Sequence, residues 1–136
     1  MPSGPALRLG LMLLTGLAFG FSANTARATT FHVQTSAGHS VRVSNEAAWD
    51  KRCNPLGGPD YTFTTKPAHG EISTRSEEKV IKTCQAGECE CVGHHITGIA
   101  IYYTPEKNFH GTDQFSFSSR FPNGTILNHQ GIIEVK

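Results

Sequence analysis

Residues 99–121, IAIYYTPEKNFHGTDQFSFSSRF, decide the fold class of this chain. Ile99, Ile101 and Tyr103 alternate with Ala100 and Tyr102, the period of two of a strand with one buried face. Thr104-Pro105 stops the ladder, because proline has no N–H to donate. Gly111-Thr112-Asp113 closes a corner. Phe115 and Phe117 then share one face while Gln114, Ser116 and Ser118 share the other. A strand, a corner and a second strand with its aromatics inward are what the core of a β-sandwich requires.

The flanking sequence repeats this grammar. Tyr61-Thr62-Phe63-Thr64 is rich in β-formers, Lys66-Pro67-Ala68-His69-Gly70 is a turn, and Glu71-Ile72-Ser73 starts another strand. Phe31 and Val33, then Val41 and Val43, alternate on either side of Ala37-Gly38, which predicts two short strands joined by a turn. Residues 45–60 show no period, and Asn54-Pro55-Leu56-Gly57-Gly58-Pro59-Asp60 is loop chemistry. Trp49, the only tryptophan, is expected to cap the edge of the core. Residues 74–96 are polar, carry three cysteines and read as an inserted loop or hairpin. Beyond the deciding stretch, Phe121-Pro122-Asn123-Gly124-Thr125 predicts a hairpin with a type I′ turn at Asn-Gly. The last strand runs from Thr125 to Val135, with Gly131 expected as a bulge. About seven short strands without a helical period predict an all-β sandwich.

Both compartment and cross-linking follow from the ends and the cysteines. Arg8 precedes an apolar run, LGLMLLTGLAFGF, and Ala26-Arg27-Ala28 offers a small-x-small cleavage site, so residues 1–28 read as a signal peptide. The run is too short and too rich in glycine for a membrane span. The domain is then residues 29–136, a chain of 108 residues with 10 basic and 11 acidic side chains. That balance argues against nucleic acid or an anionic membrane as partner, since both select clustered Lys and Arg. A core of that size gains from covalent staples. Cys53, Cys84, Cys89 and Cys91 are even in number in a chain read as exported, which predicts two disulfides.

Cys84, Cys89, Cys91, His94 and His95 put thiols and imidazoles close together, the ligand types of zinc or copper. This is the alternative to disulfides, and C-x4-C-x-C is not a zinc spacing. No serine lies in a nucleophile-elbow context, Glu88 and Glu90 read as solvated, and no catalytic residue or cofactor is assigned. Asp113 is expected to accept backbone N–H bonds at its corner. His69 and His110 sit beside glycines in turns and read as positional.

Lys66-Pro67-Ala68-His69-Gly70-Glu71-Ile72, then Ile101-Tyr102-Tyr103-Thr104-Pro105, then Asn108-Phe109-His110-Gly111-Thr112-Asp113-Gln114-Phe115-Ser116-Phe117 together resemble the bacterial Ig-like, cadherin-like repeat family. The resemblance covers residues 62–136 and rests on Tyr103, Pro105, Phe109, Gly111, Asp113, Phe115 and Phe117. It implies an Ig-like Greek-key sandwich acting as a non-catalytic spacer or binding module for a protein or glycan, secreted or periplasmic. Some members hold calcium, but the acidic segment is reduced here to Asn45, Asp50 and Asp60. The single copy and the cysteine-bearing insert also depart from the pattern. An Ig-like order of strands gathers the loops bearing the four cysteines at one pole. A Cys89–Cys91 bond would close a strained ring, so Cys53 is expected to pair with Cys89 or Cys91, and Cys84 with the one left over.

Overall fold

The computed structural model describes residues 28–84 and 89–136. The segment read as a signal peptide lies outside the described residues, except for Ala28. Nine strands follow in chain order: β1 (Thr29–Thr35), β2 (Val41–Glu46), β3 (Ala48–Trp49), β4 (Pro55–Gly57), β5 (Asp60–Thr65), β6 (Gly70–Val80), β7 (His95–Pro105), β8 (Gly111–Arg120) and β9 (Ile126–Val135). The fold is all-β, and no helix occurs among the described residues.

One sheet has the order β1-β9-β8-β5 and a second β2-β7-β6, while β3 and β4 pair as a small ribbon. Only β1 and β9 run parallel; every other pair is antiparallel. The alternation in residues 99–121 is what places the core. Ile101 and Tyr103 from β7, Val43 from β2, Phe115 and Phe117 from β8, and Ile133 and Val135 from β9 form one buried cluster to which both larger sheets contribute. Phe117 meets the rings of Phe31, Tyr61, Phe63 and Phe115 at centroid distances of 5.6–6.2 Å, the spacing of favourable offset and edge-on aromatic contacts.

Asp113 ties this core to a turn. Its carboxylate accepts the N–H groups of Ala68 (3.0 Å) and His69 (2.8 Å), its neighbour's Gln114 N–H (2.9 Å) and the buried Tyr103 hydroxyl (2.8 Å). Two of these donors lie more than 40 residues away in sequence, so the aspartate staples the 66–70 turn onto β8 as well as serving its own corner. Burial pushes its carboxyl up, but the four donors outweigh that and hold it below the usual carboxylate range.

Several local expectations change in the structure. Residues 45–60 are not all loop, since β3 and β4 form a hairpin within them. Residues 74–96 take the hairpin form of the two expected: β6 continues to Val80 and pairs antiparallel with β7 from His95, with 81–94 between them outside the ladder. Gly131 makes no bulge, because β9 stays in register with β8 throughout. A Cβ there would sit 2.5 Å from the Phe115 ring, and the glycine exists to let that ring lie against the strand. The 121–125 turn is not type I′ either. Among the described non-glycine residues only Cys53 has a positive φ, 65°, so Asn123 does not. Pro122 holds the first corner position, Gly124 takes φ 86°, and Gly124 N–H donates to Phe121 O (2.9 Å); proline's fixed φ excludes the primed geometry.

Candidate functional site

The cysteine-bearing loops meet at one end of the molecule. Cys53 is bonded to Cys91 and Cys84 to Cys89, one of the two pairings expected. All four cysteines are therefore consumed, and the thiolates that a metal centre of Cys84, Cys89, Cys91, His94 and His95 needs are not present. His94 contributes its carbonyl, accepting from Ile81 N–H (2.9 Å), and His95 Nδ1 lies 2.8 Å from Glu78 Oε1.

Asp50 shapes the loop that delivers Cys53. Its Oδ1 accepts the N–H groups of Arg52 (2.8 Å) and Asn54 (2.9 Å), and its Oδ2 accepts the Asn54 amide (3.0 Å). This Asx-type turn carries Cys53 through its left-handed conformation. The amide and N–H of Asn54 are the main reasons that the Asp50 carboxyl is held low. Beneath the Cys53–Cys91 bond, Ala47, Ile81, Cys91 and Ile96 form a second buried cluster, with Trp49 and Cys53 packed against it. Trp49 thus caps this satellite cluster rather than the main core.

Beside that cluster lies a groove of about 310 Å³. The β3–β4 ribbon supplies Trp49 and Leu56 as one wall, and the tip of the β8–β9 hairpin supplies Phe121, Asn123, Thr125 and Leu127 as the other. Leu56 and Leu127 are 47% and 44% exposed, and Ile126, next to Leu127 along β9 and outside the lining, is 49% exposed. These are three of the four large apolar side chains left exposed among the described residues, Val92 being the fourth.

Glu46, Ala47, Ala48 and Lys79 complete the lining. Lys79 Nζ donates to Asn45 O (2.6 Å); burial pushes its amine below its ordinary value despite the nearby Glu46 charge. Glu46 extends from β2 to the other sheet, where its Oε2 accepts the Ser119 hydroxyl and its Oε1 lies 3.1 Å from His129 Nε2. His129 is 4% exposed, and neither ring nitrogen has the alignment of a hydrogen bond. Burial, then the Glu46 charge, raises the Tyr61 hydroxyl pKa beyond reach. This acid–histidine–serine convergence does not build a nucleophile: Ser119 is fully buried and donates to the carboxylate, not to the imidazole. Sequence reasoning missed it. The one available signal was parity, since His129 shares a face with Ile133 and Val135 along β9.

The motif residues of the deciding stretch lie elsewhere. Tyr103, Asp113, Phe115 and Phe117 are core, Pro105 ends β7 opposite Gly70, and Gly111 opens β8. Phe109 is half-buried and stacks on the His69 ring at 4.2 Å. None of them lines the groove.

No protein-family model matches the chain, and no curated protein matches it. Among solved structures, the solution structure of amebosin is similar, with 9% identity and a TM-score of 0.42 over 81% of this chain and 99% of that one. No helix among the described residues is long and apolar enough to cross a membrane. The two disulfides are compatible with an oxidising compartment.

Proposed function

We propose that this chain is a non-catalytic, exported Ig-like module, periplasmic or secreted, that binds a protein or glycan partner at its disulfide-clamped pole. Support for an Ig-like Greek-key sandwich comes from the strand order. β5, β8 and β9 share one sheet and β2, β7 and β6 the other, as the third, sixth and seventh strands of that fold are set against the second, fifth and fourth; β1 departs from that division by pairing parallel with β9, and β3–β4 is an addition between the second and third strands. Two disulfides near a sequence with a signal-like start support export.

The observation that carries the binding role is the groove walled by Trp49, Leu56, Phe121 and Leu127. Its ribbon wall is covalently anchored through Cys53, and loops held by a rigid scaffold are where such domains bind. The test substitutes both exposed leucines, Leu56→Asp with Leu127→Asp, and compares that variant with wild type. Cross-linking in the exported fraction and a glycan array supply the readouts, with size exclusion to verify the fold. Wild type should retain a partner that the variant loses by tenfold or more; identical retention by both would remove the groove from the binding role.

A further inference from the structure

The two disulfides of the pole are embedded in opposite ways. Cys53–Cys91 joins segments 38 residues apart, and Cys91 is 7% exposed within the satellite cluster. Cys84 and Cys89 are both exposed and only five residues apart. The loop that carries them is already closed at its base. Ile81 N–H donates to His94 O (2.9 Å), Gly93 N–H donates to Ile81 O (2.8 Å), and Cys91 is bonded to Cys53. Because closure entropy grows with the logarithm of ring size, the five-residue span constrains the unfolded chain less than the 38-residue span does. Neither buried cluster includes Cys84 or Cys89. Folding therefore depends less on this bond than on Cys53–Cys91.

We propose that Cys84–Cys89 is a reversible thiol–disulfide exchange site for a dithiol partner. In the reducing direction, one thiolate of the dithiol attacks a sulfur of the pair and the Cys84–Cys89 bond breaks. A mixed disulfide forms, and the expelled cysteine thiolate takes up a proton. The second thiol of the partner then attacks the mixed disulfide, frees the other cysteine and leaves as a disulfide. Two electrons and two protons pass to the cysteine pair, and the reverse sequence oxidises a dithiol. Exposure decides which bond reacts faster, since the attacking thiolate must approach in line with the sulfur–sulfur axis: Cys84 and Cys89 are both exposed, whereas Cys91 is buried and Cys53 half-buried. The Cys53–Cys91 clamp persists through the cycle, so the groove is kept in both redox states. This site stands independently of partner binding at the groove.

The experiment exposes the oxidised full protein to dithiothreitol for graded times at pH 7, alkylates it and maps the modified peptides. Cys84 and Cys89 should be labelled at least tenfold faster than Cys53 and Cys91, and removal of the reductant in a glutathione redox buffer should restore the bond. Circular dichroism of the two-thiol form should match that of the oxidised protein. Simultaneous appearance of four thiols, labelling of Cys53 or Cys91 first, or unfolding on reduction of Cys84–Cys89 would each overturn the proposal. A Cys84→Ser/Cys89→Ser variant separates the cases: it should keep the native spectrum and show no fast-labelled thiol.

Discussion

The main core and the pole are held by different physics. Between the two larger sheets, seven buried side chains from β2, β7, β8 and β9 interlock, with Phe117 at the centre of five aromatic contacts that include His129. No cross-link is needed there, because burial of each large side chain contributes about 1.5–3 kcal/mol. The satellite cluster under the pole has four buried residues, one of them a half-cystine. Such a cluster is too small to order two loops by burial, so a covalent bond and the Asp50 turn take over. The contrast shows why a domain of this size can present a shaped loop surface: the scaffold is stabilised by packing and the presented end by a staple.

The sharpest way to break the comparison is at Phe117. Phe117→Ala empties the centre of the packed layer, and urea unfolding should show a loss of about 3–5 kcal/mol. A loss under about 1 kcal/mol would mean that packing does not hold the sheets. Next comes the staple: Cys53→Ser with Cys91→Ser should cost about 2–4 kcal/mol. Hydrogen exchange would locate that cost, with protection falling in residues 48–57 and 91–94 and staying intact in β8 and β9. Uniform loss of protection would show that the pole and core are one cooperative unit.

Asp113 offers the smallest and most selective test. Asp113→Asn keeps the shape but weakens acceptance of the Ala68, His69 and Tyr103 donors, at a cost of about 1–3 kcal/mol at neutral pH. The wild-type carboxyl is held below its ordinary value, so its stabilising share is whole at neutral pH. It disappears as pH falls from the ordinary carboxylate range through that lowered value. Urea midpoints measured from neutral to acid pH should converge for the two proteins. A gap that persists in acid would place the role of Asp113 in shape alone.

Local periodicity made the core legible. Ile101, Tyr103, Phe115 and Phe117 are buried where their alternation places them, because side chains of a strand alternate between faces whatever lies opposite. The glycine at 131 was misread for the opposite reason. Its cause is the ring of Phe115 on the neighbouring strand, which no pattern along β9 contains. Pro122 overrode the Asn-Gly signal, since a fixed φ at one turn position constrains the whole turn.

What the sequence by itself determined is the all-β class, the inward face of its central strands and the even set of cysteines, all properties of neighbours along the chain. Tertiary structure alone decided which cysteines pair, that Glu46, Ser119 and His129 converge, and that Trp49, Leu56 and Leu127 share one groove. Those residues come from separate strands and loops, and their meeting depends on strand order and register, which long-range packing selects.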